Sequence, residues 1–279
     1  MKEYKNIISL SKNERGIWDL DTIKGCESGI KMNPKGCYGD CYAFKIANRY
    51  GSNFGKSIER HFKNNTHKMH IIKSIEKIDM PFIRIGCSGD PSENWEHTIN
   101  IIKQIKENSQ LSLFDISSKK QIVIITRHWK ILTNEQLNEI KKFNICINTS
   151  VSALDCNEEI IKALNQYERL KPFCKSILRI ITCDFNELNE EGKIRAEIQR
   201  NLIKNTGYID TVFRPSKNNL FVLNGIINVK KMAFMKSVTL ISKFNKKTFT
   251  GKCNSCIELF GIRSEEHTSE LQSRLHLVC

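Results

Sequence analysis

Residues Gln121–Thr126 read QIVIIT. A short, unbroken apolar run rich in β-branched residues is the pattern of a strand buried on both faces, as in a parallel sheet. Working outward, comparable runs recur at Ile17–Ile23, Pro81–Cys87 (PFIRIGC), Phe143–Val151, Ser176–Cys183 (SILRIITC) and Ile209–Arg214 (IDTVFR). Helical patterns lie between them. Met69, Ile71, Ile72, Ile75 and Ile78 fall near helical spacing, as do Trp95, Thr98, Ile99, Ile102 and Ile105. Thr133 with Gln136 forms a capping-box signature ahead of Leu137 and Ile140. Asn157 is placed to cap a helix carrying Ile160, Ile161 and Leu164, and a longer helix is expected around Ile194, Ile198 and Leu202.

Six strand–helix repeats with mostly short connections predict an α/β fold with a parallel sheet. No GxGxxG follows the first strand, so an open dinucleotide-binding sheet lacks its best sign. Polar and reactive residues instead gather where the strands end: Cys26, Ser88–Asp90, Thr126–His128, Asn148–Ser152, Cys183-Asp184 and Arg214. Barrels keep their active residues at those ends, so a partial (β/α)6 barrel is expected over residues 1–220. Residues 221–262 read as a small C-terminal appendage with strands at Ile226–Val229 and Val238–Ile241 and a Cys253-x2-Cys256 pair.

Gly25–Arg49, GCESGIKMNPKGCYGDCYAFKIANR, carries Cys26, Cys37 and Cys41 on a Gly/Asn/Pro loop that runs into a helix from about Tyr42. Such a loop is not core composition, which argues against three unrelated buried thiols. Zinc prefers four tetrahedral ligands and would need a distant partner. Three thiolates can instead hold a 4Fe–4S cluster with one iron open, although four is the usual count. Cys253 and Cys256 suit an auxiliary cluster or zinc, or a knuckle without metal. Cys87, Cys146, Cys174 and Cys183 lie in or beside apolar strands, where a free Cys is often simply buried. Cys174 and Cys183 are further candidates as ligands to the C-terminal pair.

The 11 cysteines are odd in number and scattered, no signal peptide opens the chain, and no window approaches a membrane span. A cytoplasmic protein without a membrane partner is therefore expected. The net charge of +14 and pI near 9.3 suit a nucleic-acid partner. The lysines are nevertheless spread, and the Lys/Asn/Ile-rich composition equally reflects an AT-rich coding bias.

The cysteine loop, with Gly36-Cys37-Tyr38-Gly39-Asp40-Cys41-Tyr42-Ala43, resembles that of radical S-adenosylmethionine (SAM) proteins. It is most similar to a phage- and bacteria-associated group whose cluster loop ends in Cys-Tyr-Ala. Ser88-Gly89-Asp90-Pro91 resembles the superfamily's Gly-Gly-Glu-Pro turn, and Ile124–Arg127 and Thr149–Ser152 add weaker similarity. The resemblance covers roughly Trp18–Pro215 and implies a partial TIM-like barrel of radical SAM type. It implies that Cys26, Cys37 and Cys41 hold a 4Fe–4S cluster whose open iron chelates SAM. Ser88, Gly89 and Asp90 would meet the SAM amine, and Tyr42 or Phe44 the adenine. Arg127, Arg179 and Arg214 are candidates for the SAM carboxylate or a substrate anion. An electron donor would supply the electron that cleaves SAM to a hydrogen-abstracting 5′-deoxyadenosyl radical.

The spacing departs from the common C-x3-C-x2-C, and Asp40 stands where an aromatic residue is usual. The alternative expectation is a zinc-stabilised, non-catalytic nucleic-acid-binding protein. Trp95-Glu96-His97 and His128-Trp129 are expected near the site, each equally suited to the core. Arg263–Ser273, RSEEHTSELQS, resembles a translated sequencing adapter, so residues 263–279 are read as an artefact. Without them the net charge moves from +14 to +15, and the natural protein is expected to continue beyond Ile262 differently.

Overall fold

The computed structural model describes residues 5–13, 16–32, 40–109, 120–206, 209–212 and 219–228, with backbone alone at 42, 108–109, 205–206 and 209–212. The elements run β1 (Leu10–Lys12), β2 (Trp18–Leu20), β3 (Ile23–Lys24), α1 (Glu27–Met32), α2 (Tyr42–Arg49), β4 (Ile58–Glu59), α3 (Asn65–Glu76) and β5 (Phe82–Ile85). A 3-10 turn (Pro91–Asn94) leads into α4 (Trp95–Ser109), β6 (Gln121–Thr126), α5 (Asn134–Lys141) and β7 (Ile145–Ser152). Then come α6 (Asn157–Leu170), β8 (Lys175–Thr182), α7 (Glu190–Thr206), β9 (Ile209–Val212) and α8 (Leu220–Leu223).

The main sheet has seven strands in the order β1-β2-β5-β6-β7-β8-β9, and every neighbouring pair after the antiparallel β1–β2 edge is parallel. In a sheet of sequential order, crossovers of the usual right hand send successive helices to the same face. The packing agrees with that. Ile83, Ile85, Ile122, Ile124, Ile145 and Ile147 pack with Ile71 and Ile75 of α3, Ile99 and Ile102 of α4, and Leu137 and Ile140 of α5. Val151, Leu178 and Ile180 pack with Ile160 and Ala163 of α6 and Leu202 of α7. Burying one such side chain contributes about 1.5–3 kcal/mol.

Side chains alternate along a strand, so the opposite face carries a different set. Phe82, Val123, Cys146 and Ile177 form an apolar layer there with Ile17. The next residues on that face, Asp19, Arg84, Asn148, Ser150 and Arg179, are polar and buried or nearly so. Arg84 holds Asp19 through two hydrogen bonds, of 2.6 and 3.0 Å.

Several local expectations are met and others are corrected. The Thr133–Gln136 capping box forms in both directions, at 2.9 and 3.2 Å. Cys156, not Asn157, occupies the cap position of α6 and makes no side-chain bond there. Glu158 and Glu159 in the first turn complement the helix dipole instead. The run Ile17–Ile23 is not one strand: the chain turns at Asp21-Thr22, and β3 leaves to pair with β4 in a separate two-stranded ladder. β1, ahead of the first expected strand, is an antiparallel edge strand. At the expected C-terminal appendage, Ile227 makes a single bridge to Phe185 instead of beginning a strand. Phe221, Val222, Ile226 and Ile227 pack on Ala153, Leu154, Cys183 and Phe185. Val238–Ile241, Cys253, Cys256 and 263–279 lie outside the described residues. Among the described residues, no helix is long and apolar enough to cross a membrane.

Candidate functional site

Three buried aspartates tie together the loops that follow the parallel strands. Asp21, after β2, accepts from the backbone N–H groups of Gly86 (3.2 Å), Cys87 (2.8 Å) and Ser88 (3.2 Å), and from the Ser88 hydroxyl. Asp90, after β5, caps the 3-10 turn: its Oδ1 accepts from Ser92 N (2.9 Å), Ser92 Oγ (2.7 Å) and Thr126 Oγ1 (2.7 Å). Asp90 Oδ2 accepts from Arg127 N at 2.7 Å. Arg127 in turn extends its guanidinium to Asp155, after β7, at 2.5 Å. A carboxylate has about four acceptor sites, so Asp90 keeps little capacity beyond Oδ2 for an outside donor.

The cysteine loop is fastened to this rim by backbone. Gly25 N–H donates to the Ser88 carbonyl at 3.0 Å, pairing Gly25 with Gly89. Glycine is required at both positions, at Gly89 by this approach and at Gly25 by its conformation and the Lys56 backbone. A Cβ on Gly89 would lie 2.5 Å from the Ile23 carbonyl oxygen and 2.7 Å from that of Gly25. Gly25 has φ +82°, and a Cβ there would lie 2.2 Å from the Lys56 oxygen. Cys26 N–H donates to Phe54 O at 2.8 Å, and α1 begins directly after it. Glu93, from the 3-10 turn, grips the start of that helix by accepting from Ser28 N (2.8 Å) and Ser28 Oγ (3.1 Å).

Cys26, Ala43, Ala47 and Phe54 form one buried cluster, with Ile30, Cys41, Phe44 and Trp129 packed against it. Cys26 and Cys41 thus belong to one apolar cluster, which the Gly25–Gly89 pairing sets beside the Ser88–Asp90 turn. Cys37 lies outside the described residues, as does the side chain of Tyr42, whose backbone begins α2. Burial, and then the Asp90 carboxylate, push the Cys26 thiol well above its ordinary range. A thiolate at that position requires a cation beside it, which is the condition a sulfur-ligated metal centre meets. Soft sulfur donors walled by Phe44, Phe54 and Trp129 fit an iron–sulfur cluster or zinc and do not fit a hard, oxygen-seeking cation.

Asp40, the departure from the usual aromatic position, has a fully buried side chain. It forms an ion pair with Lys45 of α2 and accepts from Asn219 Nδ2 at 2.8 Å. It anchors the loop, a task an aromatic ring could not perform. Arg127 pairs with Asp155 through one guanidinium nitrogen. Arg179 stands opposite Ser150 in the β7–β8 register and is buried. Arg214 lies outside the described residues. Trp95 is core, donating to Lys130 O at 2.8 Å. His128 is fully buried and faces Thr149 Oγ1 at 2.9 Å, while Trp129 joins the cysteine cluster.

Cys174 and Cys183 flank β8 at opposite ends, roughly 30 Å apart at about 3.3 Å per residue. They cannot serve one metal together. Burial pushes both Cys146 and Cys174 up to about 12, as expected of inert core thiols. Asp21, Glu93 and Asp155 were not anticipated from the sequence. Asp21-Thr22 interrupting an apolar run was the one local signal.

The family-model, curated-protein and solved-structure comparisons give no match for this chain.

Proposed function

We propose that the chain is a radical SAM enzyme in which Cys26, Cys37 and Cys41 hold a 4Fe–4S cluster with one open iron. The observation that carries this reading is the packing of Cys26 and Cys41 in one cluster, pinned by the Gly25–Gly89 pairing to the Ser88–Asp90 turn. When bound, the cluster supplies the electron that cleaves SAM to methionine and a 5′-deoxyadenosyl radical.

The chain's own residues bind and orient. The Ser88 hydroxyl, which donates to Asp21, keeps acceptor lone pairs for the SAM amine. Asp90 serves first to fix the turn and second as an acceptor through Oδ2. Phe44, Phe54 and Trp129 keep water from the sulfur ligands. Arg179 and its buried neighbours Asn148 and Ser150 form a polar floor for a carboxylate or substrate group. That floor also supports a partial TIM-like barrel: the helix clusters cover one face of the sheet, and the polar opposite face is nonetheless buried, as a curving sheet requires. SAM and an electron donor are the proposed partners, and the substrate is a molecule the polar floor would select.

The test is anaerobic reconstitution of the full chain, with iron and sulfide analysis and detection of 5′-deoxyadenosine. Cys37→Ala is expected to abolish its formation. The reading falls if the protein carries zinc on sulfur ligands and reconstitution gives no SAM cleavage, an outcome that favours a zinc-stabilised nucleic-acid-binding protein.

A further inference from the structure

Away from the cysteine pocket, three side chains from two elements converge. Glu59 ends β4, His61 follows two residues later on extended backbone, and His97 lies in the first turn of α4. Their ligand atoms all lie within 4.8 Å of one another. Glu59 Oε2 is 3.7 Å from His97 Nδ1 and 3.9 Å from His61 Nε2. The two imidazole rings meet edge to face at 4.7 Å.

We propose that Glu59, His61 and His97 bind one divalent transition-metal ion of the zinc class, at a site separate from the cysteine loop. Metal–ligand bonds of about 2.0–2.2 Å in tetrahedral geometry place ligand atoms roughly 3.3–3.5 Å apart. The two separations from Glu59 close around an ion with shifts of a few tenths of an ångström, and the two imidazole nitrogens, within 4.8 Å of each other, close with a rotation of the exposed His61 ring.

The surroundings of each ligand favour this over a casual surface ion pair. His97 Nε2 faces the Arg60 carbonyl oxygen at 3.0 Å. A carbonyl accepts only, so Nε2 carries the hydrogen and Nδ1 turns its lone pair toward Glu59. A ligating histidine is usually fixed in this way, by its other nitrogen on a backbone carbonyl. Burial also lowers the pKa of His97 and favours the neutral, ligating ring, with the Arg60 carbonyl opposing. Glu59 Oε1 accepts from Asn94 Nδ2 at 2.6 Å, which leaves Oε2 for the ion. The backbone of His61 is held on both sides, its N–H donating to Asn6 O (2.8 Å) and its carbonyl accepting from Ile8 N (3.0 Å).

Three protein ligands leave a coordination position for water. The exposed sides of Glu59 and His61 open that position to solvent. The ion would bridge β4 to α4, the helix that begins directly after the Asp90 turn. This inference is independent of the radical SAM reading, because it uses none of the cysteines.

The test is zinc titration of the full chain, with X-ray absorption at the zinc edge. The expected result is one zinc with a nitrogen/oxygen first shell, retained in Cys26→Ala. His61→Ala and Glu59→Gln, both at exposed side chains, should each weaken that zinc at least about tenfold while the metal-free melting temperature stays unchanged. Zinc bound through sulfur alone, no zinc bound, or an affinity indifferent to both substitutions would overturn the proposal.

Discussion

The helix-covered face of the sheet and the rim at its strand ends hold the same fold together by different means. On the helix side, isoleucines from β5, β6 and β7 meet isoleucines from α3 and α4, and the contacts have no direction. Any apolar side chain of similar volume satisfies them approximately. At the rim, Asp21, Asp90 and Asp155 each join loops through hydrogen bonds with fixed geometry. There the chemistry of one oxygen matters more than the volume of the residue. The core therefore specifies that a sheet forms, and the rim specifies where its loops stand.

This contrast can be broken most directly at Asp155→Asn, which keeps the shape and removes the charge. Asp155 accepts from Ser152 N at 2.7 Å and pairs with Arg127 at 2.5 Å, and both charged side chains are largely buried. Removing one partner of a buried pair costs about 3–5 kcal/mol, so urea denaturation should show a loss of that order. A loss below about 1 kcal/mol would mean that the rim tolerates isosteres as the core does.

Ile102→Val is the matching core change, at a side chain with no exposure. An expected loss of about 0.5–1.5 kcal/mol keeps it below the rim variant, and a larger loss would erase the distinction.

The rim also predicts a pH slope. Burial depresses His128 to about 3, against roughly 6.5 for an unfolded histidine. Between those values the unfolded chain binds the extra proton. Stability present above about pH 6.5 is thus lost as pH falls toward 3. His128→Asn removes the titration and accommodates the φ of +56° at this position. Calorimetry across pH 4–7 should show a flatter slope than the wild type, and an equal slope would assign the acid sensitivity to other groups.

What the sequence made legible follows the same division. QIVIIT identified β6 to its ends, and SILRIITC lies within one residue of β8. Buried parallel strands announce themselves by composition alone. β1 did not, since an antiparallel edge strand with two exposed residues carries no apolar run. Asp21-Thr22 split the first expected strand because its side-chain partners lie more than sixty residues away. The cysteine loop and the Ser88–Asp90 turn were visible as motifs expected at one mouth, and the backbone pairing that joins them was not. That pairing depends on Gly89, whose missing Cβ lets its backbone reach those of Ile23 and Gly25. The convergence of Glu59, His61 and His97 had no local signal, because His97 reaches the other two only through the packing of α4.

The hydrogen bond between Asp40 and Asn219 has a consequence in time. These residues are 179 positions apart. At about 5–20 residues per second, a ribosome needs on the order of ten to forty seconds to make the second after the first. Throughout that interval the cysteine-bearing segment has emerged while this fastening has not, so assembly of the pocket finishes late in synthesis.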